Sequence, residues 1–438
     1  MKKIYLLLLF ACFFIGNAQI NWRRSSATTN YPSWMGTGNT ERGMAALGDK
    51  MYVVSRNGGA KIKVINGVNG NDLADVSDYT NVSGGTFALS DVEVSTNGAI
   101  LASNLTISTN SDAFKIYKWD SETAVPSVYI TYQNTDPADN LRLGDCFTVT
   151  GDITGNAVIM AGGQVAGTSG ATSVHKVVRW IVTGGVLGAP TVITLGAFGL
   201  SSNNLVATPE TISANPDFFV NSTGRTVFKC NANGTFTGDS LTGVVALSSS
   251  DTKYFEVGLK KYIAAYTYGT NAEFVRLVDV TFGIGAGSTV ALTQTLGAVS
   301  NSNGTGGLGI KTIPDLVDGT NNTITIYALA TNNGISGTTL INNGAVVNLL
   351  LSTKDYLEAH NAAKVFPNPA TNEFNIVIDT NLDSEAKAFV YDILGRELKT
   401  VKIKSNIQTI SIEDLKVGQY LVKVINGKNN TTTKLLKK

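Results

Sequence analysis

Histidine and cysteine are almost missing, with 2 His and 3 Cys in 438 residues. Zinc modules built on Cys and His, and iron–sulfur clusters held by four thiolates, lack the ligands they need. Neither His175 nor His360 accompanies a nucleophile motif, and no Gly-x-Ser-x-Gly occurs, so a histidine-based triad has no support either. The glycines from Gly304 to Gly309 lack the Lys-Thr pair and the strand-to-helix setting of a phosphate loop. Charge is scarce as well, at 15 % Asp, Glu, Lys and Arg against a usual ~25 %. The body carries no basic stripe, which excludes nucleic acid as a partner. Beyond residue 18 no apolar run approaches the ~20 residues of a membrane-spanning helix, so the mature chain is expected to have no transmembrane segment.

Glycine and short β-branched runs are what the chain does have. Its 45 Gly and 43 % hydrophobic residues suit a turn-rich all-β protein with ample material for a core. Lys2 and Lys3, the apolar run Ile4 to Ile15 and then Gly16-Asn17-Ala18 read as a secretory signal, with cleavage expected after Ala18. Its removal leaves Cys146 and Cys230, which form either one disulfide or two packed thiols; their spacing does not choose. Residues 19–360 hold 20 basic and 25 acidic side chains, whereas residues 361–438 hold 12 and 8. An acidic body joined to a basic tail argues for two domains. The expected division is a signal at 1–18, a body at 19–350, a linker at 351–364 and a C-terminal domain at 365–438.

Within the body, strand-like segments start at Lys61, Phe114, Lys176, Arg225 and Phe274, each behind a second apolar run, and a sixth unit fits Thr323 to Ala330 with Thr339 to Ile341. The spacings of 53, 62, 49 and 49 residues match the blades of a β-propeller. Eight Asn-Gly dipeptides in this region supply tight hairpin turns. The expectation is a propeller of about six blades, with Ile20-Asn21-Trp22 adding a strand that closes the last one; a β-solenoid or a pair of sandwiches is the alternative. Glu41 to Ala46, Tyr52 to Arg56, Gly84 to Phe87 and Asp91 to Thr106 resemble an uncharacterised bacterial and fungal family of secreted, propeller-like domains, a resemblance that brings no known activity.

The last 75 or so residues read as a small immunoglobulin-like β-sandwich, from alternating runs such as Phe374 to Ile378, Ala388 to Tyr391, Ile407 to Ile412 and Tyr420 to Ile425. Pro367-Asn368-Pro369 predicts a rigid extended entry. Tyr391-Asp392 to Gly395-Arg396 predicts a strand running into a tight turn with Gly395 at positive φ. The terminal Lys434, Lys437 and Lys438 around two leucines predict a last strand with cationic ends that a receptor could grip. These motifs, together with Gly418-Gln419-Tyr420, resemble the type A C-terminal sorting domain of the type IX secretion system of Bacteroidetes. The resemblance implies transport to the periplasm, recognition by the type IX machinery at the outer membrane, and release or attachment at the cell surface.

Aligned blades put Arg42, Asp91, Asp145 and Glu210 at the start of successive innermost strands, around the mouth of a central channel. Such a ring could hold a divalent cation, Ca²⁺ above all, or a polar ligand, or merely close the channel. Arg56 is a further candidate ligand contact. Asp91 and Glu93 share a strand face, but the paired carboxyls of a glycosidase flank a sugar from opposite sides. The leading expectation is a secreted or surface-attached binding or scaffold protein for a glycan or surface-protein partner. The rival is an extracellular polysaccharide hydrolase or lyase that uses carboxylates of the channel mouth.

Overall fold

The computed structural model describes residues 19–168, 173–196, 204–247, 249–269, 273–297, 299–301, 304–314, 322–341, 364–378, 382–392, 396–427 and 429–438. The expected signal peptide, the linker with His360, and Gly395 lie outside them. The chain divides into two compact units, residues 1–347 and 348–438.

In the first unit the described residues form six antiparallel sheets, blades I to VI. Their first strands are Glu41–Leu47, Phe87–Val94, Phe147–Gly151, Leu205–Pro209, Ser249–Val257 and Gly306–Ile313. Each first strand lies beside that of the next blade, and the sixth returns to the first. The body is therefore a six-bladed propeller. Gln19–Ser25 pairs antiparallel with Gly334–Ile341 as the outermost strand of blade VI, so both ends of the body share one sheet and the ring is closed by hydrogen bonds.

Apolar side chains on alternate strand positions fill the space between blades. Tyr52, Ile62, Val92 and Trp119 pack between blades I and II. Phe114, Ile116, Phe147 and Trp180 fill the next interface. Trp22, Met44, Met51, Tyr327 and Ile335 seal blade VI against blade I. Trp22 is buried there with its indole N–H donating to Gly67 O at 2.7 Å, and it leaves no Cβ room at Gly70, whose φ is +75°. Apolar burial, at about 25 cal/mol per Å², holds each blade to the next.

Polar staples follow the ring closely. Arg56 Nε donates to Leu89 O (2.9 Å), Phe147 N to Asp91 Oδ2 (2.8 Å), and Thr148 Oγ1 to Ala207 O (2.6 Å). Thr208 Oγ1 donates to Thr252 O (2.8 Å), Leu308 N to Asp251 Oδ2 (2.8 Å), and Thr331 Oγ1 to Glu41 O (3.0 Å). Every one joins a blade to its successor, near the inner strands, where backbone groups would otherwise go unpaired.

The second unit is a two-sheet sandwich. Lys364–Phe366, Glu373–Val377 and Ile407–Ser411 make one sheet; Glu397–Lys402, Lys387–Asp392, Gly418–Asn426 and Asn429–Lys437 make the other. Phe374, Ile376, Val390, Val422 and Leu435 form its core. At Pro367-Asn368-Pro369 the chain bends, with cis bonds before both prolines, rather than running extended as expected from trans geometry.

Candidate functional site

Two tetrapeptides of one pattern face each other across the ring: Ser90-Asp91-Val92-Glu93 in blade II and Ser250-Asp251-Thr252-Lys253 in blade V. On a strand the Asp and the residue two further on share a face. Asp91 Oδ1 accepts from Val92 N at 2.8 Å and Oδ2 from Phe147 N at 2.8 Å. Asp251 repeats this with Thr252 N at 2.7 Å and Leu308 N at 2.8 Å. Lys253 Nζ spans the ring to donate to Glu93 Oε1. Gly43 makes room for Asp91, since a Cβ there would lie 1.4 Å from Asp91 Oδ1.

Burial raises the carboxyls of Asp91 and Asp251 above the usual range, and for Asp91 the nearby Glu93 charge adds to it. Burial likewise pushes Glu93 up to about 7, against the pull of Lys253. The remaining cavity, lined by Arg42, Asp91, Glu93, Asp145, Cys146 and Asp251 among others, measures about 20 Å³, room for about one water.

Both oxygens of Asp91 and of Asp251 already accept backbone N–H groups, and the ammonium of Lys253 supplies the positive charge beside Glu93. Among the described residues no group of three or more His, Cys, Asp or Glu is disposed to hold a metal.

Arginine dominates the mouth above this plug. Arg142 grips Asp145 through Nε and Nη2 at 2.6 and 2.9 Å. Arg56 donates from Nη2 to Ser90 Oγ at 2.8 Å and lies 3.9 Å over the exposed ring of Phe87. Arg42 lines the cavity, and its buried Nε has no hydrogen-bond partner.

Of the residues expected at the channel, Arg42, Asp91 and Asp145 do line one cavity, and Arg56 sits beside them. Glu210 does not. It follows the end of the first strand of blade IV, Leu205–Pro209, and accepts from Lys229 Nζ at 2.6 Å. Asn204, just before that strand, takes the lining position instead. Eight residues, 210–217, separate the first two strands of blade IV, against two to five in blades I to III, so counting back from the second strand lands beyond the end of the first. Asp251 and Lys253 escaped the sequence reading, although the Ser-Asp-x-Glu/Lys repeat 160 residues apart could have revealed them. Cys146 lines the cavity and Cys230 is buried in a blade core; both are free thiols.

In the second unit, motifs far apart in sequence meet. Asn368 Nδ2 donates to Lys434 O at 2.6 Å and its Oδ1 accepts from Leu436 N at 2.9 Å, clamping the last strand. Tyr391 pairs with Leu421 and Leu421 with Lys434 across three strands. Asp392 accepts from Arg396 N at 3.0 Å and pairs with its Nε at 2.6 Å. Tyr420 donates to Lys416 O, and Gly418 pairs with Lys437. Lys437 is no surface cation: at 6 % exposure, its ammonium donates to the carbonyls of Ile412, Glu413 and Leu415 at 2.5, 3.2 and 2.7 Å. Lys434 and Lys438 remain exposed.

The chain is thus a propeller followed by a sandwich whose terminal strand is locked by its own motif residues. Residues 364–438 match the family described as the secretion system C-terminal sorting domain, and this unit is a type IX sorting domain, which exports the protein to the cell surface or extracellular space. Residues 34–220 match a domain of unknown function, DUF8500. No curated protein matches the chain. Among solved structures, a DUF4623 family protein from Bacteroides eggerthii shares the fold at TM-score 0.54 and 18 % identity, over 69 % of this chain and 70 % of that one. An α-L-arabinanase from Penicillium chrysogenum aligns at TM-score 0.45 and 9 % identity, over 75 % and 100 % of the two chains. PorZ of Porphyromonas gingivalis, a surface component of the type IX secretion system, aligns at TM-score 0.32 and 12 % identity, over 91 % and 51 %. No helix among the described residues is long and apolar enough to cross a membrane.

Proposed function

We propose that this is a non-catalytic binding or scaffold protein of a Bacteroidetes-type bacterium, carried through the inner membrane by the signal at 1–18 and outward by its sorting domain. One observation carries the reading: the channel carboxylates are consumed by the fold itself. Asp91 and Asp251 hold backbone amides, Glu93 holds Lys253, Asp145 holds Arg142, and the space between them admits about one water, at about 20 Å³. Hydrolysis of a glycosidic bond asks for two carboxyls roughly 5–10 Å apart with a sugar between them, and ligand pockets run to ~300 Å³ or more. Incubating the protein from residue 19 to 438 with a polysaccharide panel should release no reducing ends, while a subset of the same polymers should retard it in affinity electrophoresis. Reducing-end release that disappears in Asp91→Asn or Asp145→Asn would overturn the reading in favour of a hydrolase or lyase.

A further inference from the structure

Where the propeller closes on itself, the closing strand Gln19–Ser25, residues 30–33 and the loop 69–72 beyond the third strand of blade I, Lys61–Asn66, wall an open hollow of about 550 Å³. Trp22 and the half-buried Tyr31 bring rings to it. The hydroxyl of Tyr31 donates to Gly36 O at 2.9 Å, which fixes that ring. Asp72 is gripped by Arg24 at 2.5 and 3.1 Å and accepts from the indole N–H of Trp34 at 3.0 Å. The loop is held as firmly: Gly70 N donates to Asn66 O at 2.7 Å, Asn66 N to Asn71 O at 2.8 Å, and Asn71 N to Asn69 Oδ1 at 3.0 Å. Three polar groups on the wall are left over. The carboxamide of Asn71, the Nδ2 of Asn69 and the hydroxyl of Ser33 are exposed and make no hydrogen bond with any described residue. Arg23, also on the wall, spends its Nη1 on Thr295 O at 3.2 Å and Gln294 Oε1 at 3.5 Å. Among the described residues no aliphatic side chain lines the hollow.

We propose that this hollow binds a neutral saccharide chain, with one sugar ring on Tyr31 and its hydroxyls bonded to Asn69, Asn71 and Ser33. The inference rests on the binding function proposed above and names its site and ligand class. The volume, about 550 Å³, falls inside the ~300–1,000 Å³ of small-ligand sites, whereas the channel, at about 20 Å³, does not. A carboxamide sets donors and an acceptor side by side, which suits sugar hydroxyls, each of which both donates and accepts. An aromatic ring adds apolar area with a fixed geometry for the C–H face of a sugar. The carboxylate of Asp72 is already matched by a guanidinium, so it asks for no cation. A wall without aliphatic side chains gives little to the apolar anchors by which peptides and proteins bind. Rings and loop are in place before any ligand arrives, which spares ordering entropy.

Isothermal titration of the protein from residue 19 to 438 with cellohexaose, xylohexaose, mannohexaose and maltohexaose, and with hexagalacturonate as a charged counterpart, tests this. At least one neutral chain should bind with an affinity indifferent to salt, and hexagalacturonate should bind no more tightly. Asn71→Ala should weaken that chain about three- to tenfold, the effect of one neutral hydrogen bond. It should leave the melting temperature unchanged, because this exposed side chain has no partner to lose. Tyr31→Ala should weaken binding about tenfold or more, while Tyr31→Phe, which keeps the ring, should retain it. No binding by any of the four neutral chains, equal binding by Asn71→Ala and Tyr31→Ala, or tighter and salt-sensitive binding of hexagalacturonate would each overturn the proposal. Polysaccharides that retard wild type, Asn71→Ala and Tyr31→Ala alike would sink this site while sparing the binding function, whereas release of reducing ends would sink that function itself.

Discussion

Among the lysines that the described residues withdraw from water, Lys253 and Lys437 are accommodated in opposite ways. Lys253 in the propeller, 18 % exposed, reaches across the ring to a carboxylate and stands among three acids, Asp91, Glu93 and Asp251. Lys437 in the sorting domain, 6 % exposed, is bound by three uncharged backbone carbonyls. An ion pair links the first, in blade V, to blade II, and burial raises its carboxyl partner to about 7. Neutral acceptors tie the second to one loop, insensitive to mild acid but dependent on the chain reaching its last two residues. A buried cation can therefore act as a cross-ring strut or as a terminal latch, depending on what accepts its protons.

Lys253→Met should show the largest effect, about 3 kcal/mol of lost propeller stability, because it strands Glu93 among other acids. All four tryptophans, Trp22, Trp34, Trp119 and Trp180, lie in the propeller, so urea unfolding followed by tryptophan emission isolates this unit. Lys253→Met with Glu93→Met should recover most of the loss. An unchanged midpoint in the single variant would break the strut interpretation.

Next in size, Lys437→Met should cost the sorting domain about 2 kcal/mol by leaving buried carbonyls unpaired. Hydrogen exchange of Gly418–Asn426 and Asn429–Lys437 should accelerate accordingly, and export should fall. Unchanged protection together with lost export would mean that Lys437 is read by the secretion machinery rather than by its own fold.

The third test uses pH. Glu93 titrates at about 7 in the folded ring and near 4.3 when unfolded, so the folded state holds its proton more tightly. Stability should be fullest below about pH 4.3, decline as pH rises, and level off above 7. Glu273, raised to about 7 by burial in blade V, acts in the same direction. Lys253, whose neighbouring acids raise it, stays charged throughout this window. The melting temperature should drop by about 3 °C between pH 5 and 8, and Glu93→Gln should flatten that slope. A rise across the window would mean that Lys253 holds the Glu93 carboxyl below its usual range and that burial does not raise it.

Smallest of all, Glu210→Gln should change stability by about 0.5 kcal/mol or less, since its partner Lys229 is part-exposed and lies next to Asp217 as well. A loss near that of Lys253→Met would return Glu210 to the central charge network.

Much of the architecture was legible because it is local. Strand-length runs at a period near 50 residues, together with Asn-Gly turns, required blades, and Ile20-Asn21-Trp22 foretold the closing strand. Arg42, Asp91 and Asp145 could be placed at the channel because two to five residues join the first two strands of their blades, whereas eight, 210–217, do so in blade IV. Lys437 was misjudged because lysine near a chain end ordinarily faces water; what draws it inward is a set of carbonyls from Ile412 to Leu415, invisible to a pattern along the strand. Asn368 read as part of a proline-bounded entry, yet its function depends on Lys434 and Leu436, some 66 and 68 residues away.

By itself, then, the sequence determined the building units: a repeat near 50 residues whose apolar faces are buried by stacking, and a tail with sorting motifs in order. Those follow from composition and short-range periodicity, which act along the chain. Tertiary structure alone decided which charges are spent and which remain. Glu93 and Lys253 meet only when blades II and V are brought to opposite sides of one axis, and Asp145 is held by Arg142 while the buried Nε of Arg42 meets no hydrogen-bond partner. Charge pairing depends on distance through space and on the water excluded from between the partners, and neither is written in the order of residues.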